Sequence, residues 1–350
     1  MERRALSRTR STGSLAHVAR AAGVSIATAS RVLNGSAHPV SDATRERVLA
    51  AAQELGYSPS ALARALVTRR SRIIGVMVGD IVDAYFAEIT RGVEDVAGRA
   101  GYMTIVCNAD RRTEVELAQL AVLSDYHAEG VVFAGSGYLD DPRGPELAAA
   151  VERARERGIR VVALAMRDFD APRIMADNHG AAFDVTDYVL SLGHRRVAYI
   201  GGPPALYASR DREQGFRDAM TAAGAAPGRI CEGDFSYERG YSATLQMIAD
   251  PEPPEAIIGA NDETAVGALA ALRQARIEVP GQISVAGMTD TRTARFSDMT
   301  TVSVPMYQFG AAAAQRIVAR EDPPDETVLP HRVVPRSTTT RRPVVAPTRG

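Results

Sequence analysis

The sequence contains no lysine, and all 41 of its basic residues are arginines. Because such an absence is more typical of genome composition than of selection for phosphate binding, we draw no functional conclusion from it. Only two cysteines are present, Cys107 and Cys231, far apart in segments that resemble strands or loops. This argues against a disulfide framework and against a cysteine-based metal site. No stretch approaches the roughly 18 consecutive apolar residues of a membrane span.

The charge of the chain is unevenly distributed. Residues 1–72 contain 12 arginines and 4 acidic side chains, whereas the whole chain has a net charge of -1. A basic head followed by an acidic body is expected when only one end of a protein meets a polyanion. The first residues, MERRALSRTRSTGS, lack the apolar segment of a secretory signal, so we expect a cytoplasmic protein.

With 350 residues, the chain is long enough for two or three folding units. Residues 1–13 are predicted to be a disordered basic arm. Residues 14–58 predict a small all-α bundle of three short helices, each beginning with a serine that can cap free N–H groups. These serines are Ser14, Ser25 and Ser41. Residues 59–71 are an Ala/Leu/Arg stretch, which predicts a conditional helix or linker.

From residue 72 onward, apolar runs alternate with helical stretches. This alternation predicts parallel sheets with crossover helices, and hence an α/β body over residues 72–335. The pattern restarts, so we expect two doubly wound lobes. The first lobe is assigned to 72–172 and 303–335, and the second to 173–302. Residues 336–350 contain proline and threonine without a heptad repeat and are predicted to be a mobile tail.

The head has the apolar spacing of two helices packed at a steep angle, with Gly23 at the turn between them. The apolar positions are Leu15, Val18, Ala19, Ala22, Val24, Ala29, Val32 and Leu33. The second helix would enter the major groove with one side exposed, formed by Ile26, Ala27, Thr28, Ser30 and Arg31. A general helical bundle has the same pattern, so periodicity alone leaves both interpretations open.

Polar and aromatic residues follow two predicted strands of the body, where ligands of open α/β sheets bind. Asp83, Tyr85 and Phe86 follow the first strand, although each could merely cap or cover a helix. Asn261 and Asp262 follow a later strand. Asp262 suits a helix N-cap as well as a ligand contact. The amide of Asn261 both donates and accepts hydrogen bonds, which suits a sugar hydroxyl.

Two motifs, AxxAGVSxATxSRVLNG and VSxATRERVLAAAxELGYxPSALARAL, lie within residues 19–66. They resemble the head and hinge of the lactose/galactose-repressor (LacI/GalR) family of transcriptional regulators. The resemblance implies that a helix beginning at Ser25 reads bases through Ile26, Ala27 and Arg31. It places near phosphates or groove edges Thr28, Ser30, Asn34 and His38. Arg31 can pair bidentately with guanine, although a solvated helix arginine is the alternative.

The segment from Pro59 to Leu66 resembles the hinge helix of the same family. The resemblance implies that the hinges of a homodimer pair in the minor groove of a near-palindromic operator, where Leu66 wedges into the central base step. Because such a wedge costs about a few kcal/mol of base stacking, only a preorganised pair of hinges can insert it. Packing of Leu66 on the body is the alternative when the hinge is unfolded.

Most of residues 71–318 resembles the sensor of that family, with REQGF, GDFSYERGY, AND, VPGQISVAGM and TTVSVP in order. The resemblance implies a type I periplasmic-binding-protein-like fold that clamps a small molecule between two lobes. The strand ends and the resemblance together give these candidates for effector binding: Asp83, Tyr85, Phe86, Arg167, Arg212, Phe235, Asn261, Thr289 and Asp290. Thr289 stands where relatives commonly carry an acid that grips sugar hydroxyls, so we expect a sugar, a sugar acid or another sugar derivative.

These features predict a transcriptional repressor that binds double-stranded operator DNA as a homodimer and responds to a small molecule, with no membrane partner. An enzyme is one alternative, but the six histidines show no metal spacing, and neither a phosphate loop nor a nucleophile elbow is present. We therefore expect no catalytic residue, no cofactor and no metal. A solute-binding protein of the periplasmic type without a DNA role is the other alternative, and the head argues against it.

Overall fold

The computed structural model describes residues 14–33, 38–57, 71–226, 228–320 and 325–342. The chain divides into two compact units, Met1–Ser71 and Arg72–Gly350. The predicted arm at 1–13, Asn34, Leu66 and the rest of the hinge up to residue 70 lie outside the described residues. Within the described part of the chain, no helix is long and apolar enough to cross a membrane.

The head consists of three helices around a small apolar core. They are α1 (Leu15–Ala21), α2 (Ile26–Leu33) and α3 (Asp42–Glu54). Ser14 and His17 cap α1 reciprocally: Ser14 Oγ accepts from the His17 N–H at 3.3 Å, and His17 Nδ1 accepts from the Ser14 N–H at 3.4 Å. The buried side chains that join the helices are Val18, Ala19, Ala22, Ala29, Val32, Val48, Ala51 and Ala52.

The first lobe of the body is a parallel sheet with helices on both faces, as the sequence predicts. Its strands are β1 (Ile73–Val78), β2 (Met103–Asn108), β3 (Gly130–Phe133), β4 (Arg160–Ala163), β5 (Arg173–Ala176) and β11 (Glu326–Leu329). They lie in the order β11-β5-β4-β3-β1-β2. The helices are α4 (Ala84–Arg99), α5 (Thr113–Asp125), α6 (Gly144–Glu156) and α12 (Met306–Ala319). Helices α4 and α12 cover one face, whereas α5 and α6 cover the other.

The second lobe has the same architecture on a smaller scale. Its parallel sheet has the order β7-β6-β8-β9 and is built from β6 (Val197–Ile200), β7 (Ile230–Cys231), β8 (Ala256–Gly259) and β9 (Ser284–Ala286). Its helices are α7 (Asn178–Ser191), α8 (Tyr207–Ala222), α9 (Tyr237–Ile248), α10 (Asp262–Gln274) and α11 (Arg292–Phe296). An antiparallel pair, β10 (Thr301–Ser303) with β12 (Arg332–Val334), extends this lobe.

The structure corrects the predicted lobe boundaries. The first boundary, placed after residue 172, falls too early, because β5 pairs with β4 and β11 inside the first sheet. The chain therefore passes to the second lobe between β5 and α7. The segment 303–335 does not belong wholly to the first lobe. Strand β11 pairs with β5 at the edge of the first sheet, but β12, which follows it, pairs with β10 of the second lobe.

The predicted mobile tail also begins too early. Thr338 is buried, its Oγ1 donates to the carbonyl oxygen of Val285 at 2.7 Å, and it accepts from the Thr300 N–H at 2.9 Å. Arg342 forms an ion pair with Glu255. Residues 336–342 are thus packed on the second lobe by backbone hydrogen bonds as well as by threonine hydroxyls, and the sequence pattern does not reveal either. Residues 343–350 lie outside the described part.

Two helices of the first lobe touch through their backbones. At Gly310 of α12, a Cβ atom would lie 1.9 Å from the carbonyl oxygen of Ile89, and at Gly92 of α4 it would lie 2.1 Å from that of Tyr307. Only glycine permits this approach. The pair of helices therefore covers one face of the sheet as a single tight layer.

A buried histidine under the C-terminal segment makes stability depend on pH. His194 Nε2 lies 3.1 Å from the carbonyl oxygen of Thr340, whereas its Nδ1 is buried without a partner among the described residues. Burial lowers the pKa of His194 below its usual 6.5. Because the folded pKa lies below the unfolded one, the stability from neutral His194 is present above about pH 6.5 and is lost as pH falls through the folded pKa.

We expect thermal unfolding of the wild-type chain to move to lower temperature between about pH 7 and pH 5, and to move less in the variant His194→Gln. The glutamine has no charge to gain in the buried site. Calorimetry of both proteins at matched ionic strength measures the difference. Parallel pH profiles would show that His194 does not contribute.

Candidate functional site

The head presents α2 on a rigid support. Gly23, with a φ of +65°, makes the predicted tight turn between α1 and α2. Ser25 caps α2, since its Oγ accepts from the Thr28 N–H at 3.1 Å. On the inner side of α2, Ala29 and Val32 are buried in the core of the head. The opposite side of the helix is therefore fixed in orientation and faces solvent.

The exposed side of α2 carries the residues predicted to read bases. Ile26 is 55% exposed, and Ala27 and Arg31 are exposed near it. Thr28 and Ser30 are half-buried at the margin of this face, and His38 is exposed beyond the helix. An apolar side chain beside a guanidinium group matches the thymine methyl and the guanine edge of the major groove.

A cleft between the two lobes of the body gathers the predicted effector residues. Of the nine, eight line it: Asp83, Tyr85, Phe86, Arg167, Arg212, Phe235, Asn261 and Thr289. They come from loops and from the N-terminal halves of helices that follow strands of both sheets, and ligands of parallel sheets bind at these carboxyl ends of the strands. The cleft thus brings eight of the nine predicted residues together, and their contact with an effector stays a prediction.

Arg212 on α8 is a buried cation that lines the cleft, and it is 7% exposed. Its Nε donates to Asn178 Oδ1 at 2.8 Å, and its Nη1 donates to the carbonyl oxygen of Ala260 at 2.7 Å. Both acceptors are neutral, and within the described part of the chain no carboxylate forms an ion pair with it. Because a buried charge without a counterion is costly, a ligand oxygen that accepts from Arg212 would be strongly favoured.

Phe235 supplies an aromatic face. Its backbone has a φ of +70°, a left-handed conformation that is unusual for a bulky residue. Asn261 holds it there, since Asn261 Nδ2 donates to the carbonyl oxygen of Phe235 at 3.0 Å. The guanidinium carbons of Arg111 and Arg212 lie 5.9 Å and 5.8 Å from the ring centroid. The ring is thus placed to pack against the apolar face of a sugar.

Asn261 is also the N-cap of α10, because its Oδ1 accepts from the Thr264 N–H at 3.0 Å. Asp262, the alternative cap, is instead buried and accepts from the Thr289 hydroxyl at 3.0 Å, the Thr291 N–H at 2.7 Å and the Thr301 hydroxyl at 2.7 Å. Burial raises the pKa of Asp262 to about 6, against the opposing effect of these bonds. The carboxylate fixes Thr289 at the cleft.

Arg167 belongs to the wall of the cleft. Its Nη1 and Nη2 each donate to one oxygen of Glu116 at 2.8 Å, and its Nε donates to the carbonyl oxygen of Gly135 at 2.9 Å. Both side chains of this bidentate pair are buried. Their charges compensate each other, so the pair forms part of the cleft wall without giving the cleft a net charge.

Asp83 and Arg111 are charged residues of the first lobe that line the cleft. Asp83 caps α4 by accepting from the Tyr85 N–H at 2.9 Å, and burial raises the pKa of its carboxyl group. Arg111 Nη2 lies 3.7 Å from Asp83 Oδ2, and its Nη1 lies 3.8 Å from Asp80 Oδ2. At these separations the guanidinium group makes no hydrogen bond to either acid, so its donors can turn to a ligand.

Asp290 does not line the cleft, which corrects its assignment as an effector contact. Arg336 Nη2 donates to Asp290 Oδ1 at 2.6 Å, and Arg295 Nε lies 3.7 Å from the same oxygen. The backbone of Asp290 is left-handed, with a φ of 56°. This turn directs its carboxylate toward Arg336 in the C-terminal segment instead of the cleft.

Direct bonds join the lobes beside the cleft. The Leu139 N–H donates to the carbonyl oxygen of Ala205 at 2.7 Å, and the Tyr207 N–H donates to that of Gly137 at 3.2 Å. The Tyr207 hydroxyl donates to Asp168 Oδ1 at 2.5 Å. The structure therefore shows the lobes in contact around the cleft.

Several polar residues line the cleft without having been predicted from the sequence: Arg111, Glu116, Ser136, Tyr138 and Asn178. Asn178 begins the helix after β5, so the strand-end rule applied to Asp83 would have found it. Arg111 follows β2 through a left-handed turn with a φ of 52°. Nothing in the sequence pattern predicts that turn.

Comparison with known proteins agrees with this geometry. Residues 14–60 match the family described as "Bacterial regulatory proteins, lacI family", and residues 186–339 match "Periplasmic binding protein-like domain". The chain is 33% identical over 337 residues to the HTH-type transcriptional regulator RegA of Clostridium saccharobutylicum, covering 93% of this chain and 99% of that protein. It is 33% identical over 301 residues to the transcriptional repressor CytR of Escherichia coli K12, covering 85% and 86%.

A solved structure is similar over nearly the whole chain. It is the Lac repressor dimer bound to operator and the anti-inducer ONPF, with a TM-score of 0.82 and 25% identity, covering 94% of this chain and 100% of that one. The predicted head and the α/β body of periplasmic-binding type are confirmed. The alternative of a solute-binding protein without a DNA role is not supported, since these relatives are transcriptional regulators.

Proposed function

Because the chain belongs to the lacI family of bacterial regulatory proteins and is a DNA-binding transcriptional regulator, we propose that it represses transcription from a near-palindromic operator. It binds double-stranded DNA as a homodimer in the cytoplasm. A sugar, a sugar acid or another sugar derivative in the cleft controls operator affinity.

The exposed face of α2 is the observation that carries the DNA-binding role. The helix has eight residues, so one copy can contact only a few base pairs. Two copies related by two-fold symmetry read two half-sites, which is why the operator is expected to be a near-palindrome. In this proposal the predicted hinges, residues 59–71, pair in the dimer, and Leu66 wedges into the minor groove between the half-sites.

One edge of the first sheet supports the homodimer. Strand β2 is an edge strand, and it exposes Met103 and Val106. An edge strand with exposed apolar side chains is prone to pair with another chain. A second copy of this protein would cover that edge in the dimer.

The cleft favours a ligand rich in oxygen acceptors. Arg212 and Arg111 offer guanidinium donors beside the Phe235 ring, whereas the acid Glu116 is already paired. A sugar acid offers an apolar C–H face for the ring, together with hydroxyl groups and a carboxylate that accept hydrogen bonds. The effector acts through its different affinity for two arrangements of the lobes, a coupling of about 1–3 kcal/mol.

Two measurements on the full chain test this function. Selection from a random duplex library should yield symmetric sequences with two half-sites. A thermal-shift panel that pairs glucose with glucuronate and galactose with galacturonate should show stabilisation, larger for the acids, and the stabilising compound should change operator binding. A chain with no preference for any symmetric duplex, with and without these sugars, would refute the proposal.

Removing the guanidinium group of Arg31 from both subunits should weaken binding to the selected duplex by about 100-fold or more, because two bidentate base contacts of about 1–3 kcal/mol each are lost. Arg31→Ala should also relax the base preference at one position in each half-site. The matched variant Arg31→Lys keeps the charge, so it should bind random duplexes as the wild type does but remain impaired on the selected one. Titrations at one fixed salt concentration measure this, and an equal loss on both duplexes would exclude base reading.

A further inference from the structure

One buried carboxylate collects donors from three separate parts of the first lobe. Glu129 directly precedes β3 and is 9% exposed. Its Oε1 accepts from the Arg72 N–H at 3.1 Å. Its Oε2 accepts from the Tyr102 hydroxyl at 3.1 Å and from Arg320 Nη2 at 2.9 Å. With these donors the carboxylate is held in one position.

Arg72 is the first residue of the body after the predicted hinge, and its backbone is held on both sides. Its N–H donates to Glu129, and its carbonyl oxygen accepts from the Met103 N–H at 2.8 Å. Its φ is +54°, a left-handed conformation that a non-glycine residue keeps only where its surroundings enforce it. The direction in which the chain enters the body therefore depends on these contacts.

The strands that follow Arg72 and Glu129 lead to the cleft. These strands, β1 and β3, are parallel neighbours with Ile74 opposite Gly130, so Arg72 and Glu129 lie together at the amino ends of the strands. At the carboxyl ends, Gly79 follows β1 and residues 134–136 follow β3, and all of them line the cleft. Any shift of β3 against β1 at the cleft also shifts the Glu129 carboxylate against the Arg72 N–H.

We infer that Glu129 is a positioning residue that links the cleft to the hinge by fixing the point where the hinge joins the body. The inference rests on the proposed function, because it concerns the affinity for operator DNA. Glu129 touches neither the ligand nor the DNA in this role. It acts through the backbone of Arg72.

The second lobe contains a matched control. Glu255 directly precedes β8, is also 9% exposed, and accepts from the Arg195 N–H at 2.7 Å and from Arg342. Its chemistry is that of Glu129, but it holds the C-terminal segment instead of the hinge junction. A purely structural role would make the two glutamates equivalent.

The test compares Glu129→Ala with Glu255→Ala in the full chain, using the symmetric duplex selected by the wild-type protein and a random duplex. Alanine removes the acceptor of the Arg72 N–H, whereas glutamine would keep one. Glu129→Ala should lower affinity for the selected duplex about tenfold or more. Its affinity for the random duplex should stay within about twofold, as should both affinities of Glu255→Ala. Thermal unfolding of both variants measures the structural cost, which should be similar.

Two results would overturn the inference: wild-type affinity in Glu129→Ala, or the same loss in both variants. Should Glu129→Ala fail to fold, the half-exposed partners Arg320→Gln and Arg342→Gln replace the pair, with the loss expected only for Arg320→Gln. A wild-type chain that selects no duplex refutes the proposed function. A wild-type chain that selects one, with equivalent glutamate variants, refutes the inference alone.

Discussion

The variant Arg212→Ala is expected to bind the effector about 100-fold more weakly than the wild type, because hydrogen bonds to a charged group contribute about 1.5–3 kcal/mol each. The variant also removes the buried donors that hold Asn178 and the backbone of Ala260, and it removes the cation beside the Phe235 ring. Operator affinity without effector should stay near the wild-type value, since the head and hinge are unchanged.

The same helix supplies the control for this experiment. Arg210 is exposed and pairs with its neighbour Asp211, so Arg210→Ala removes an arginine of α8 without entering the cleft. Calorimetric titration with the compound that most raises thermal stability should separate the two variants. Equal affinities of Arg210→Ala and Arg212→Ala would show that Arg212 does not anchor the effector.

The variant Gly310→Ala should destabilise the body by about 3 kcal/mol or more, because the added methyl group meets backbone that cannot move alone. Its Cβ would lie 1.9 Å from the carbonyl oxygen of Ile89 and 2.9 Å from the Val93 nitrogen. Helices α4 and α12 would have to separate along their whole contact. Both effector binding and operator control should be lost together as the first lobe loosens.

Gly98 allows the same substitution with the opposite expected sign. It lies in α4, and a Cβ there meets no atom within 4 Å. Gly98→Ala should therefore stabilise by up to about 1 kcal/mol through helix propensity alone. Denaturant unfolding of both variants measures the contrast, and equal stabilities would mean that the contact between α4 and α12 adapts easily.

Local patterns predicted the elements of this fold because each depends on nearby residues. The apolar spacing around Gly23 predicts the head, and the alternation of apolar runs and helices predicts the parallel sheets. The lobe boundaries were misplaced because β5, β11 and β12 are short strands whose partners are distant in sequence. The apolar pattern of a strand of only three or four residues does not reveal which sheet the strand joins.

For the cleft, too, the sequence predicted the positions of residues but not the contacts of their side chains. Strand ends located Asp83, Tyr85 and Asn261, but the roles of the side chains depended on their partners. Asn261 holds Phe235 and caps a helix, while Asp290 turns toward Arg336. These roles follow from left-handed backbone at Phe235 and Asp290, which residue type alone does not predict.

The late position of β11, β12 and residues 336–342 in the chain has a consequence for synthesis on the ribosome. The head is contiguous and can finish folding as soon as residue 57 has emerged. Each lobe of the body, in contrast, waits for strands encoded near the end of the message, and the nascent chain elongates at about 5–20 residues per second. For many seconds, a nascent protein would carry a complete DNA-reading head without a completed sensor, so the effector could not control DNA binding by a chain that is still being translated or is cut short.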